Sequence, residues 1–377
     1  MPGECEGGAA QRGRGRGGPF RPFPPPGGPA YWRHESLVAV NVAPPIRRFF
    51  SWRVRPSDVV RDLAVCATFG TLAGLGAGAH WFLDFFTHFP LHYLLVLLPA
   101  TTLLVALRRP LAASICAACL LYNAAQLVPL FRAPPRAAAA AGSALRVLEI
   151  NVLRENKRAD QALQAIRDAA PDVVVALEVT PEWLERLAPL RQRYPHVVAE
   201  PQDDCFGLAV FSAYPVLAHR TLWLGHGWVP SLRVTLDVGG RPLDLLATHA
   251  VPPKDRIQTG ARNDQLVDLA EEAKAGGRPL LLVGDLNATP WSPHFRRLVR
   301  EGRLADSGRG FGLKGTWPSF APAWLRIPID HVLVSPHLLV RDRRTGRPFG
   351  SDHVPLLVDV SWADRQPEQP GDLPSGD

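Results

Sequence analysis

A set of polar side chains in this 377-residue chain sits where apolar runs begin or end. Asn151 closes LRVLEIN, Glu178 follows five apolar residues in VVVALEV, and His249 closes LDLLATH. Asp285 and Asn287 end LLLVGDLN, Asp330 and His331 open IDHVLVS, and Asp352 and His353 precede VPLLVDV. Carboxylates, carboxamides and imidazoles are the groups that hold divalent cations and move protons. A carboxylate beside an apolar strand is costly unless it is paired or metal-bound. One such residue is ordinary in a folded protein. The same pattern at six strand ends points to a site.

The elements that must position these residues are short β-like runs that start at Leu145. LRVLEIN, VVVALEV, LAVFSA, SLRVTLDV, LDLLATH, LLLVGDLN, IDHVLVS and VPLLVDV read as strands, and Ala159–Ala170 reads as a helix. Continuous apolar runs such as LLLVGD suit strands covered on both faces. Eight or more strands with few helices predict an α/β layered sandwich over residues 145–361.

Upstream the composition is different. Between Leu63 and Phe131 the charged residues are Asp84, Arg108 and Arg109. Apolar stretches at about Leu63–Phe82, Leu91–Leu107 and Leu111–Phe131 are each near the ~20 residues that cross a bilayer. Gly70, Gly74 and Gly78 recur every fourth residue in the first, a spacing that allows close helix packing. The predicted organisation is a disordered basic cytoplasmic arm (1–58), three transmembrane helices (59–131), a linker (132–144), the sandwich domain (145–361) and a disordered tail (362–377).

Charge sets the expected orientation. Residues 1–144 carry 14 Arg and no Lys against 6 acids, whereas residues 145–361 carry 27 basic against 25 acidic side chains. Arg47, Arg48, Arg53, Arg55 and Arg61 precede the first apolar stretch, and Arg108 and Arg109 lie between the second and third. The turn from His80 to His92 has no Lys or Arg. The positive-inside rule then puts the amino terminus in the cytoplasm and the sandwich domain outside. The near-neutral domain argues against a broad nucleic-acid groove. Of the five cysteines only Cys205 lies in 145–361, so no disulfide framework forms there. Cys116 and Cys119 read as packing residues of an apolar helix, and His80, His88 and His92 as interfacial residues.

The segments LRVLEINV, ALEVTP, FGLAVFSAYPV, LLATHAVPP, LLVGDLNATPWSP, GTWPSF, IDHVLVS and GSDHVPLLVDV resemble, in order, those of the endonuclease/exonuclease/phosphatase superfamily. That superfamily includes class II abasic-site endonucleases, deoxyribonuclease I, neutral sphingomyelinases and inositol-polyphosphate 5-phosphatases. The resemblance implies a four-layer sandwich of two mixed β-sheets flanked by helices, and a Mg²⁺-dependent phosphoric ester hydrolase, with Mn²⁺ as a second candidate cation. It assigns Asn151, Glu178 and Asp352 to the metal. It places His353 on the phosphate, Asp330 behind His353, Asp285 on a proton, and His249 and Asn287 on the phosphoryl oxygens. Some family nucleases carry an acid two positions after the first-strand Asn. Leu153 stands there, which disfavours a second metal position.

Membrane helices followed by such a domain resemble bacterial proteins of the VanJ type, linked to teicoplanin resistance. That likeness implies action on a lipid-linked phosphate such as undecaprenyl pyrophosphate, at the outer face of the plasma membrane, with membrane lipids as partners and no obligate protein partner. Two other readings stay open. An outward-facing DNA endonuclease would use Arg296, Arg297, Arg300 and Arg303 with Arg341, Arg343, Arg344 and Arg347 as its basic track. An inactive lipid- or partner-binding protein would need none of the chemistry.

Overall fold

The computed structural model describes residues 56–132, 144–225 and 228–363. The expected arm, linker and tail lie outside those residues except at their inner edges. Four helices come first: α1 (Pro56–Gly74), α2 (Trp81–Asp84) running into a 3-10 turn at Phe85–His88, α3 (Pro90–Ala106) and α4 (Pro110–Phe131). α3 and α4 each open on a proline, where a missing N–H costs nothing. α1, α3 and α4 pack side by side around Ala67, Leu97, Cys116 and Cys119. The two cysteines are buried free thiols of this centre. Asn123, also buried, donates to Thr71 Oγ1 and to the Cys119 carbonyl.

α4 is the one described helix long and apolar enough to cross a membrane; α2 with its turn and α3, bent by 66°, would make a second, broken span. The expected first stretch, Leu63–Phe82, is not continuous. α1 carries Asp58, Arg61 and Asp62 and stops at Gly74, and a turn containing Gly76 and Gly78 follows. Glycine is among the poorest helix formers, so the chain reverses there instead of extending.

From Leu145 the chain builds two six-stranded mixed sheets. The first holds β1 (Leu145–Asn151), β2 (Val173–Leu177), β3 (His196–Glu200), β4 (Leu208–Ser212), β11 (Leu338–Thr345) and β12 (Leu356–Trp362), in the order β11-β12-β1-β2-β4-β3. The second holds β5 (Val216–Leu224), β6 (Val229–Asp237), β7 (Pro242–His249), β8 (Leu280–Asp285), β9 (Ala305–Asp306) and β10 (Asp330–Val334), in the order β5-β6-β7-β8-β10-β9. β1–β2 and β7–β8 run parallel, and the other pairs are antiparallel.

Strand alternation assigns the layers. Val147, Val175, Val210, Leu245, Val283, Val332 and Val358 face one another between the sheets. The outer face of the first sheet packs on α5 (Ala159–Ala169) and α6 (Pro181–Arg186) through Ile166, Trp183 and Leu187. The outer face of the second packs on α7 (Arg256–Ala275) and α8 (Pro293–Glu301) through Leu266, Leu269, Phe295 and Leu298. The result is the expected four layers. The eight expected strands are present, while β3, β5, β9 and β11, the four edge strands, were not legible because an edge strand is covered less and lacks a continuous apolar run.

Gly284 shows how tightly β7 and β8 meet. Its φ is +149°, and a Cβ there would lie 1.8 Å from the Thr248 carbonyl oxygen. Gly284→Ala must therefore push apart the strands that carry His249 and Asp285. We expect a loss of about 3 kcal/mol from overpacking and strain, read as a lowered thermal midpoint. An unchanged midpoint would contradict this packing.

Candidate active site

Register brings the expected site residues to one end of the sandwich. His249, Asp285 and Asp330 stand opposite one another across β7, β8 and β10. Each continues the inward-facing row of its strand, after Ala247, after Val283 and before Val332. In the first sheet Asn151 is level with Leu177, and Glu178 follows directly. β12 runs antiparallel to β1, so Asp352 and His353 just before it return to the same end. The inter-sheet core thus ends in polar groups. His331 is the neighbour that alternation turns away: it packs on Phe295 and donates Nε2–H to the Ala288 carbonyl at 2.8 Å.

Glu178, His249, Asp285, Asn287, Asp352 and His353 line a cavity of about 620 Å³. Asn151 and Asp330 stand one side chain behind it. Asn151 Nδ2 donates to Glu178 Oε1 at 3.0 Å, and Asp330 Oδ2 meets His353 Nδ1 at 2.8 Å. Three non-glycine residues at the cavity have left-handed backbones: Leu153 (φ 58°), Glu178 (φ 60°) and Asn287 (φ 46°). Each costs on the order of 1 kcal/mol or more and persists only where the surroundings fix it. Local hydrogen bonds do so here. Asn151 Oδ1 accepts from Leu153 N, Glu178 Oε2 accepts from Arg154 N, and Asp285 Oδ1 accepts from Asn287 N.

The electrostatics divide the residues by role. Burial disfavours charge on His353, but the Asp330 carboxylate and its hydrogen bond prevail and hold the imidazole well above its ordinary pKa. Asp330 correspondingly lies below the usual carboxylate range despite its burial. Burial, with Asp330 nearby, raises Asp285 well above that range. Asp285 Oδ2 lies 3.6 Å from His249 Nε2 and 3.8 Å from His353 Nε2. His249 donates Nδ1–H to the Cys205 carbonyl at 2.8 Å, and burial lowers its pKa to about 4, so it is neutral with Nε2 free to accept. Asn287 Nδ2 donates to the Ala250 carbonyl at 2.9 Å, which fixes its amide beside Asp285.

Two oxygen-rich groups fit a cation. Asn151, Glu178 and Asp352 offer an amide carbonyl and two carboxylates, the hard donors that Mg²⁺ takes. Asp352 Oδ2 accepts from Trp317 Nε1 at 3.1 Å, while its buried Oδ1 has no hydrogen-bond partner. Burial raises Glu178, more than the bonds from Arg154 and Asn151 offset, so positive charge beside it would be stabilising. Asp285, Asp330 and His353 also have ligand atoms within 4.8 Å of one another. There the Asp330–His353 hydrogen bond already occupies one donor from each.

Several residues at this site were not foreseen. Glu149, inward-facing two residues before Asn151, is buried with neither carboxylate oxygen bonded, and burial raises its pKa well above the usual range. Arg343, also buried, donates to Ser307 Oγ and to the Asp330 carbonyl. Glu149 had a signal, a lone acid inside LRVLEIN. Arg343 had none, because it sits in a run of surface-like arginines. Nor did the sequence show that Trp81, Phe82, Phe85 and Phe89 of the helical part line the same cavity as Asp285 and His353. Of the three histidines in that part, buried His88 bonds Thr289 Oγ1 through Nδ1 at 2.9 Å, and His92 Nε2 bonds the Leu325 carbonyl at 3.0 Å.

A family model described as Endonuclease/Exonuclease/phosphatase family matches residues 147–353. Among solved structures, an endonuclease/exonuclease/phosphatase from Beutenbergia cavernae is similar at 22% identity, over 59% of this chain and 72% of its own, with a TM-score of 0.47. One from Bacteroides vulgatus is similar at 20% identity over 59% and 100%, with a TM-score of 0.49. The human Nocturnin catalytic domain with bound sulfate is similar at 20% identity over 58% and 94%, with a TM-score of 0.48. No curated protein matches the chain in sequence. The family match spans the strand-end residues that meet at the cavity, and the chain belongs to the endonuclease/exonuclease/phosphatase family.

Proposed function

We propose that the chain hydrolyses a lipid-linked phosphate ester or pyrophosphate at the outer face of a bacterial plasma membrane, with Mg²⁺ or Mn²⁺ bound. The observation that carries the lipid reading is the shared cavity. Its catalytic residues sit with Trp81, Phe82, Phe85 and Phe89, which belong to the apolar helical part. A phosphate reaching Asp285 would have an aromatic surface beside it for a hydrocarbon chain.

Asn151, Glu178 and Asp352 would hold the cation, which when bound neutralises phosphoryl charge. The chain's own residues supply the rest. Asp285, with its raised proton affinity, takes the proton of the attacking water as oxygen bonds to phosphorus. His353, kept cationic by Asp330, presents Nε2–H to a phosphoryl oxygen, and the Asn287 amide presents a second donor. Neutral His249 accepts at Nε2, which suits a protonated phosphoryl oxygen. The bond from phosphorus to the bridging oxygen breaks. With a pyrophosphate the leaving group is a lipid monophosphate, whose low basicity removes the need for a general acid.

Chain direction supports the membrane placement. α1 ends, α3 begins and α4 ends on the side of the sandwich domain: Trp291 Nε1 donates to the Gln126 carbonyl at 3.1 Å, and Gly312 N to the Leu130 carbonyl at 2.7 Å. Arg61, Arg108 and Arg109 lie at the opposite end of these helices. At 1.5 Å per residue, 17 to 22 residues span about 26–33 Å, close to the hydrocarbon thickness. Val65, Phe69, Leu98, Leu111 and Leu121 are exposed on their outer faces. The basic end then lies in the cytoplasm and the active site outside.

The nuclease reading keeps a shorter basic track, in which Arg303, Arg341 and Arg347 stay exposed. Arg343 is buried, Arg297 and Arg300 bond Glu301, Arg344 bonds Asp342, and Arg296 bonds Gln126. A binding protein without activity would have no use for the ordered Asp330–His353 pair.

Purified full-length protein in detergent is expected to release phosphate from a polyprenyl pyrophosphate faster than it nicks plasmid DNA. His353→Ala and Asp285→Ala should each lower that kcat by about 100-fold or more. Plasmid nicking that both variants lose, with no phosphate released from the lipid, would favour the nuclease. For topology, Lys157→Cys should react with an impermeant thiol reagent in intact cells above the background of the unsubstituted chain. Labelling only after lysis would place the domain in the cytoplasm.

A further inference from the structure

The loop that follows β8, residues 286–292, is held from both sides. On the sandwich side, Arg262 of α7 donates through Nη1 to the Asn287 carbonyl at 2.8 Å. Arg262 has no exposed surface, and its Nη2 donates to Asp84 Oδ2 at 2.5 Å. Asp84 belongs to α2 of the helical part and is itself buried. Its other oxygen accepts from Ser292 Oγ at 2.9 Å, at the far end of the same loop. One helical turn on, His88 Nδ1 bonds Thr289 Oγ1 at 2.9 Å in the loop's middle. The segment Asp84–His88 thus touches the loop at Thr289 and Ser292 directly, and at Asn287 through Arg262.

The loop needs such restraint. Asn287 has φ 46°, a conformation that an asparagine leaves easily unless its neighbours fix it. A buried arginine is strongly unfavourable without a partner, and Asp84 is the carboxylate that hydrogen-bonds it. A charge in an otherwise apolar stretch is also costly at that position of the sequence. Each charge is therefore tolerable because of the other, and the pair forms only when the helical part is docked on the sandwich domain.

We propose that Asp84 is a positioning residue for hydrolysis: through Arg262 and Ser292 it clamps the loop that carries Asn287, so the site is complete only with the helical part in place. The proposal rests on the hydrolytic reading above, in which the Asn287 amide meets the phosphoryl oxygens. It goes further in making a residue outside the family-matched segment necessary for turnover.

The test uses the full-length protein in detergent and a small water-soluble phosphodiester, so that lipid binding plays no part. Asp84→Asn leaves Arg262 buried without its counter-charge and is read beside the double variant Asp84→Leu/Arg262→Met, which removes both charges at similar volume. The double variant is expected to keep a thermal midpoint near that of the wild type. Its kcat should fall on the order of 10- to 100-fold, the scale of a misplaced catalytic group, with KM changed less than kcat. Amide exchange across residues 286–292 should accelerate while β8 stays protected. His92→Ala, which removes the bond to the Leu325 carbonyl at the same interface but away from the loop, should leave kcat unchanged. Should the double variant not fold, Thr289→Ala and Ser292→Ala take its place, with severalfold losses of kcat expected at an unchanged midpoint. A folded variant with wild-type kcat and unaltered exchange overturns the clamp. So does a His92→Ala loss as large as that of the Asp84 variants, which would make the effect one of docking in general. A wild-type protein inert on every phosphoester, lipid pyrophosphate included, overturns the hydrolytic reading, while the exchange measurement still judges the clamp.

Discussion

The structure depends on burying acids at the end of an apolar core. Glu149, Glu178, Asp285 and Asp330 are each at most 9% exposed, and half-buried Asp352 completes the group. Such a concentration of carboxyl groups is affordable only if protons or positive charges compensate it. The chain supplies two cations, His353 on Asp330 and Arg343 behind it. It leaves oxygens of Glu149, Asp330 and Asp352 without partners among the described residues. That residual demand is what a bound divalent cation would meet, while burial and the nearby Asp330 carboxylate raise the proton affinity of Asp285. Site chemistry and fold stability are therefore the same electrostatic problem.

Two parallel strand pairs create this end. Because β1–β2 and β7–β8 run in the same sense, their inward rows finish together, and antiparallel β10 and β12 bring their first residues to the same level. No long loop is needed to gather the residues. The backbone spends conformational strain at Leu153, Glu178 and Asn287, where the chain leaves the strands, and side-chain caps on the backbone N–H groups hold it there.

Much of this was legible in residue order. The inward rows of β7 and β8 are apolar and end in a single polar residue, so His249 and Asp285 could be read directly, and Asn151 could be read from its place at the end of β1, whose row also holds Glu149. Glu178 was expected within a strand and lies just beyond it, since its left-handed backbone cannot continue a sheet. What could not be read is whatever depends on distant segments meeting. Asp84 and Arg262 are 178 residues apart, and nothing in either neighbourhood announces the other. Hydropathy described the Trp81–Phe89 stretch as part of a membrane region, which hides that its aromatic side chains also line the catalytic cavity. The first apolar stretch misled for a local reason, because mean hydropathy does not register that Gly74, Gly76 and Gly78 end a helix.

The central claim is that an apolar helical segment and a phosphoester site form one binding surface. The most direct measurement is kcat/KM for pyrophosphates of increasing isoprenoid chain length, with the wild type and with Phe85→Ala and Phe89→Ala. Burying a methylene contributes about 0.8 kcal/mol, roughly fourfold, so the wild type should gain well over tenfold in kcat/KM with each of the first five-carbon units added, and the variants should lose most of that gain while hydrolysing the shortest substrate normally. A wild-type rate independent of chain length, equal to that of the variants, would contradict the account.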